Sequence, residues 1–132
     1  MPYDEHLRLE RIAGAQRIGL RRVVPELRAH LAIADCIVSM PGYNTVCDVL
    51  SFRRPAVLVP RLGPSQEQLV RGQRLEEWDV ARLLVDPDSE ALRAAVVDAL
   101  DGPAPAAAPV PIDGLARACE VFDEALRPIA VT

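Results

Sequence analysis

The sequence predicts an α/β fold in which a parallel sheet of about four strands is flanked by helices. Short apolar runs alternate with amphipathic stretches along the chain, which is the β-α order of such folds. The apolar runs are nearly continuous, as in strands that are covered on both faces. The 132 residues, half of them hydrophobic, suffice for a single domain over residues 1–132 with a modest core.

In the first half of the chain, helices and strands are predicted to alternate. Residues 7–15 have a helical pattern, and the apolar run at residues 18–24 (IGLRRVV) predicts a strand. Residues 25–34 place their apolar side chains on one stripe, which favours a helix. A short buried strand is expected at residues 36–39 (CIVS), and a helix at residues 43–52.

The second half begins with a strand and a capped helix. The apolar run at residues 56–59 (AVLV) lies between two prolines and predicts a strand. The next helix is expected at residues 65–78, where the spacing of Ser65 and Gln68 fits a capping box. Residues 82–85 predict the fourth strand.

The C-terminal third is predicted to be helical on both sides of a linker. Residues 89–100 form an amphipathic helix, and residues 102–111, rich in proline and alanine, form an extended linker. Asp113 is expected to cap a last helix. The apolar stripe of that helix consists of Leu115, Ala118, Phe122 and Leu126.

The composition excludes several classes of protein. A net charge of −4 gives no general attraction to nucleic acid or anionic lipid. All 15 basic residues are Arg, which is typical of a GC-rich bacterial genome, although Arg also grips phosphate in a bidentate manner. No apolar run reaches membrane-spanning length, and the N-terminus lacks a signal-peptide core, so we expect a soluble cytoplasmic protein.

The three cysteines predict neither a disulfide framework nor a metal site. Cys36, Cys47 and Cys119 are odd in number and far apart, and no C-x-x-C motif occurs. His6 and His30 have no metal-ligand spacing with them. We therefore expect buried neutral thiols.

One candidate site follows the second predicted strand, where open parallel sheets bind ligands. Gly42 lets a ligand approach the backbone closely. The amides that follow would be unpaired donors of a helix N-terminus, suited to an anion; they belong to Tyr43, Asn44 and Thr45. Asp48, about one turn further on, could accept hydrogen bonds from two sugar hydroxyls. The alternative is a plain Pro-Gly turn before a helix, in which Asp48 complements the helix dipole.

A second candidate site follows the next strand. Residues 61–65 lead into Glu67 and Gln68, a carboxylate beside an amide, which could bind the hydroxyls of a hexose. The alternative is that Gln68 serves the capping box and Glu67 favours the helix dipole. Arg61 and Arg71 flank this site and could neutralise phosphate, or could be ordinary surface residues.

Three motifs occur in order at suitable spacing within residues 24–85, about half of the chain. They are ADCIVSMPGYNTVCDVL at 34–50, PAVLVPR at 55–61 and EQLVRGQRL at 67–75. Together they resemble the C-terminal, donor-binding domain of glycosyltransferase family 28, a GT-B group. The resemblance implies an incomplete Rossmann-like domain of that kind.

The resemblance also implies roles for the candidate residues. Residues 42–45 would bind the diphosphate of a nucleotide-diphosphate sugar, most often a UDP-sugar. Asp48 would hold the ribose hydroxyls, and Glu67 and Gln68 the transferred sugar. Similar sequences usually have Glu in place of Asp48 and Gly in place of Asp79. The donor site of this family needs neither a bound metal nor a cofactor.

The acceptor domain of GT-B enzymes, which usually carries the catalytic base, has no counterpart here, and no residue is a candidate for the base. We therefore expect the donor-binding part of a hexosyl or N-acetylhexosaminyl transferase, whose activity needs an acceptor-binding domain or subunit. The first strands of a doubly wound sheet also lack a counterpart, which would leave unpaired edges. A homodimer or a partner subunit would complete the sheet, unless the four strands close up directly. An alternative function is a truncated, non-catalytic Rossmann-like domain that acts as an oligomerising or interaction module.

Overall fold

A computed structural model describes residues 3–16 and 18–127. The chain divides into two compact units, Met1–His30 and Leu31–Thr132. The first unit contains helix α1 (Tyr3–Ala15), as the helical pattern near the N-terminus predicts. Helix α2 (Leu27–Ile33) spans the boundary between the units. The sheet and the hydrophobic core belong to the second unit.

No strand forms at residues 18–24, so the first predicted strand is wrong. This segment has no regular secondary structure, and Val23 is 76% exposed. Two adjacent arginines, Arg21 and Arg22, interrupt its apolar run. A strand also needs a neighbour to hydrogen-bond with, and residues 18–24 pair with none of the three strands. The sheet therefore has three strands and not four.

The other three apolar runs form a parallel sheet in the order β1-β2-β3. The strands are short: β1 is Ile37–Ser39, β2 is Ala56–Leu58 and β3 is Arg82–Leu83. The register pairs Val38 with Val57 and Leu58 with Leu83. The α/β class with a parallel sheet is thus confirmed, and an incomplete Rossmann-like domain fits this architecture.

Four further helices complete the second unit. They are α3 (Tyr43–Phe52), α4 (Glu67–Glu77), α5 (Ser89–Asp101) and α6 (Gly114–Ala125). Helix α5 starts with a side-chain cap, because Asp88 accepts a hydrogen bond from the Ala91 amide at 2.7 Å. None of the described helices combines the length and the apolar character needed to cross a bilayer.

The core lies around the central strand β2, whose three residues are all buried. It joins β2 to β1 and to the inner faces of α3 and α4, and its buried members are Ile37, Val49, Ala56, Leu58, Leu75 and Val80. Gly72 permits the packing of α4 on β3, since a Cβ at this position would lie 2.5 Å from Leu83 Cδ1. The sheet is thereby held in place, and with it the loops that leave its carboxyl edge.

Two predicted side-chain capping interactions do not form. The capping box of Ser65 and Gln68 does not form, because Gln66 occupies the N-cap of α4 and the Gln68 side chain turns back to the preceding loop. The Ser65 hydroxyl instead accepts a hydrogen bond from the Glu67 amide at 3.2 Å. Asp113 is the N-cap residue of α6, but its side chain makes no capping hydrogen bond.

The stretch between α5 and α6 packs against other segments of the second unit. The Ala106 amide donates a hydrogen bond to the Asp79 carbonyl at 3.1 Å, and Arg53 Nη2 donates to the Pro105 carbonyl at 3.4 Å. Ala108 packs against the core cluster. This proline-rich stretch, which we call the strap (residues 103–108), thus contributes to the packing of the second unit.

The two outer strands differ at their free edges. On the outer side of β3, the Leu83 amide donates a hydrogen bond to Glu76 Oε1 at 2.9 Å. On β1, Ile37 and Ser39 bond to β2, so Val38 directs its amide and carbonyl away from it. No further strand lies beside β1 in the part of the chain that the structure describes. The β3 edge is therefore capped and the β1 edge is open.

Candidate functional site

The two predicted loops leave the sheet at the same edge. Strands β1 and β2 are parallel neighbours, so their carboxyl ends lie side by side. The Val59 amide donates to the Ser39 carbonyl at 2.9 Å, which extends the pairing to the point where the loops begin. This is the edge at which open α/β sheets bind ligands.

The first loop begins helix α3 at Gly42. The Gly42 amide donates to the Met40 carbonyl at 2.8 Å, which makes a tight turn around the buried Pro41. Gly42 is the N-cap residue, with φ −68° and ψ 160°, and no side chain caps the helix. By the geometry of an α-helix, the first amides of α3 have no acceptor within the helix.

Neither the backbone nor the packing explains the glycine at position 42. Its φ and ψ are extended values that any residue adopts. No atom lies within 4 Å of the place where a Cβ would be. The space beside Gly42 is therefore open, and a ligand could reach the backbone there.

The side chains that follow Gly42 differ in exposure. Tyr43 and Asn44 are exposed, and Thr45 is half-buried. Asp48, one turn deeper in α3, is only 9% exposed and makes interactions within the described residues. The start of α3 is thus accessible, whereas the carboxylate of Asp48 lies in a largely desolvated position.

The second loop forms a small cavity of about 140 Å³. Its lining contains the candidate residues Glu67 and Gln68 and the two flanking arginines, Arg61 and Arg71; Gly63 and Ser65 complete it. Residues 42–48 do not line this cavity. The predicted site therefore has two separate parts at one edge of the sheet.

Hydrogen bonds hold the side chains of this cavity. Gln68 Oε1 accepts the Arg61 amide at 2.9 Å, which ties the end of the β2 loop to α4. Arg71 Nη2 lies 2.9 Å from Glu67 Oε2 in an i,i+4 ion pair. Between them, Gly63 has a φ of 79°, a left-handed conformation that favours glycine, and the Gly63–Pro64 bond is cis. The loop is thus shaped by Gln68, which explains why this side chain does not cap α4.

A larger cavity of about 560 Å³ was not predicted from the sequence. It lies at the opposite end of the strands, since Pro55 and Ala56 at the start of β2 and Arg82 at the start of β3 line it. The strap forms another of its walls. Arg82 is already paired with Asp98 at 2.7 Å. Its walls come from segments that are distant in sequence, so no local pattern indicates it.

The three cysteines are free. Cys36 and Cys47 are half-buried, whereas Cys119 is exposed, contrary to the expectation that all three are buried. Desolvation by burial raises the pKa of the Cys36 thiol above its ordinary value of 9.0, and a hydrogen bond with the backbone of Ile37 partly opposes this. Cys36 is thus an unreactive neutral thiol at physiological pH.

Comparison with known proteins finds a similarity to a bacterial transferase. No protein-family profile matches the chain. The chain is 33% identical over 75 residues to UDP-N-acetylglucosamine--N-acetylmuramyl-(pentapeptide) pyrophosphoryl-undecaprenol N-acetylglucosamine transferase of Geobacillus kaustophilus. The match covers 54% of this chain and 21% of the relative, so the chain spans about a fifth of the relative's length. Because this relative is a glycosyltransferase, the match agrees with the resemblance noted in the motifs, and the matched segment is related to part of a glycosyltransferase.

Proposed function

We propose that this chain is the donor-binding part of a hexosyl or N-acetylhexosaminyl transferase that uses a nucleotide-diphosphate sugar, with a UDP-sugar as the first candidate. The main support is the arrangement at the carboxyl edge of the sheet. The residues expected to bind the sugar line one cavity, and the neighbouring loop begins a helix at an uncapped glycine. The relationship to a glycosyltransferase supports the same reading.

In this proposal the diphosphate binds at the start of α3. The amides of Tyr43, Asn44 and Thr45 donate to its oxygens, and the Thr45 hydroxyl adds a further donor. An acceptor hydroxyl attacks the anomeric carbon with inversion, and the diphosphate leaves. The helix N-terminus then stabilises the charge that develops on the leaving group, without a metal ion.

The nucleoside and the sugar occupy the flanking positions. Asp48 accepts hydrogen bonds from the ribose hydroxyls, and its desolvated position strengthens such bonds. The ion pair with Arg71 uses Oε2 of Glu67, so Oε1 remains for a sugar hydroxyl. Gln68 retains its Nε2 donors after accepting the Arg61 amide, so the two side chains together can bind adjacent hydroxyls.

Catalysis requires a further component. We assign no catalytic base in this chain, because His6 lies in α1 and His30 in α2, outside both loops. An acceptor-binding domain, a separate subunit or a second copy of the chain would supply the base and the acceptor site. The cytoplasmic location and the bacterial source expected from the sequence remain predictions.

The test is a nucleotide titration with a Gly42 variant. UDP, UDP-GlcNAc and a dTDP-sugar are titrated by calorimetry and by thermal shift, and a bound nucleotide must raise the melting temperature. Gly42→Val should fold normally, because its φ is permitted and the space is open, but its side chain should block the backbone and weaken UDP binding at least tenfold.

The matched control is Gly114→Ala, at a glycine that also has open space around it and starts α6. It should bind UDP like the unmodified chain. No stabilisation by any nucleotide at millimolar concentration would contradict the donor-site proposal.

One observation favours a second candidate, a non-catalytic interaction module. The apolar stripe of α6 is exposed, with Leu115 at 82%, and Phe122 and Leu126 are also mostly exposed. A helix with an exposed apolar stripe is typical of a surface that binds another chain. Self-association in light scattering, combined with the absence of nucleotide binding, would favour this candidate.

A further inference from the structure

We propose that the small cavity selects a sugar that carries a carboxylate, a hexuronic acid, over a neutral hexose. This inference rests on the proposed function, because it names the class of sugar that the donor site would take. It depends on the balance of charge around the cavity and on which of these charges are already paired.

The cavity lining carries more positive than negative charge. The lining includes two arginines, Arg61 and Arg71, and one acidic residue, Glu67. The remaining polar side chains of the lining, Ser65 and Gln68, are neutral. A ligand group with one negative charge would balance this set, whereas a hydroxymethyl group would leave it unbalanced.

The excess positive charge lies on Arg61. Arg71 is already paired with Glu67 at 2.9 Å. Within residues 3–16 and 18–127, the Arg61 side chain makes no ion pair, although Gln68 fixes its backbone at the rim of the cavity. Arg61 is therefore anchored by its main chain, and its guanidinium is available to a ligand. A planar guanidinium matches a carboxylate in a bidentate pair.

The size and position of the cavity indicate the sugar end of a donor. The cavity is small, about 140 Å³, and lies beside the loop that follows β2, which fits the sugar end of a donor better than its nucleoside. The diphosphate is assigned to the amides at the start of α3, and these residues do not line the cavity. The anion that Arg61 meets is therefore on the sugar.

The experiment compares two donors that differ at one carbon. UDP-glucuronic acid and UDP-glucose share the nucleotide, the diphosphate and the ring, and differ only in a carboxylate in place of a hydroxymethyl group. Calorimetric titration of the full chain should give about tenfold tighter binding of UDP-glucuronic acid, because hydrogen bonds to charged groups are stronger than those between neutral groups. The preference should decrease as the salt concentration rises.

Arg61→Gln tests the residue that carries the inference. This variant should bind the two donors with equal affinity. Arg74→Gln is the matched control, because Arg74 pairs with Glu77 outside the cavity and should not affect the preference. Circular dichroism checks that both variants fold. A preference that survives in Arg61→Gln would overturn the role of Arg61.

The two proposals fail in different ways. Equal binding of both donors, or tighter binding of UDP-glucose, would overturn the carboxylate preference and leave the donor site intact. Failure of UDP and of both sugars to bind would overturn the donor site itself.

Discussion

At the scale of single residues, Asp79 has a backbone conformation that favours glycine. The family resemblance implies glycine at this position, and the φ of Asp79 is 54°, in the left-handed region that favours glycine. A side chain with a Cβ is strained in this region, and glycine is not. The carbonyl of Asp79 also accepts the Ala106 amide of the strap, so its conformation helps to position that segment.

Asp79→Gly should therefore stabilise the fold. Relief of the left-handed strain should add about 1 kcal/mol to the free energy of unfolding, which raises the melting temperature by about 4 °C or more. Thermal unfolding followed by circular dichroism measures the shift. Asp79→Ala keeps the Cβ and should give no gain, so an equal gain in both variants would assign the effect to the carboxylate instead.

The sequence predicted which residues lie together at the second loop better than it predicted the hydrogen bonds that they make. The sequence placed Arg61, Glu67 and Gln68 in one site, and the structure brings them to one cavity. The predicted capping role of Gln68 is wrong, because the Arg61 amide, a partner created by the fold of the loop, takes its side-chain oxygen. A capping motif indicates a hydrogen bond that a side chain can make, but the tertiary structure determines which partner the side chain binds.

At the scale of elements, the prediction succeeded where a segment finds a neighbour. The runs at 36–39, 56–59 and 82–85 became β1, β2 and β3, each shorter by one or two residues. The run at 18–24 is interrupted by two arginines and pairs with none of the three strands. Strand formation depends on pairing and packing more than on the composition of the run, and sequence alone does not reveal the neighbour.

Glu76 stabilises the edge of β3, and this can be tested. Glu76→Ala removes the acceptor of the Leu83 amide and should lower the free energy of unfolding by about 1 kcal/mol in denaturant titration. Glu76→Gln retains a carbonyl acceptor and should recover most of this loss.

Glu77→Ala provides the comparison for Glu76. Glu77 is the next residue of the same helix and makes an exposed ion pair with Arg74. Such pairs contribute about 0–1 kcal/mol to the free energy of unfolding. If Glu76→Ala and Glu77→Ala destabilise the protein equally, the hydrogen bond to β3 has no special role.

At the scale of the whole molecule, the buried core cluster belongs entirely to the second unit. A chain comprising residues 25–132 keeps α2, the sheet and the strap. It should unfold cooperatively, with a melting temperature close to that of the complete chain, as calorimetry can show. A broad, non-cooperative transition would mean that the first unit is needed for the core.

Removal of the strap, in contrast, should destabilise the second unit. A chain that ends at residue 102 loses the packing of Ala108 on the core and the hydrogen bonds to Asp79 and Arg53. We expect it to melt at a clearly lower temperature. The large cavity, walled in part by the strap, would open at the same time.

The difference between the two sheet edges limits how many chains can join. Glu76 occupies the outward amide of β3, whereas no strand of the described residues lies beside β1, so β1 is the edge better suited to accept another strand. A molecule with one such edge can add one strand from another chain to its sheet. Two copies that pair through β1 would cover each other's open edge, so we expect sheet extension to favour a closed pair over a growing chain of copies.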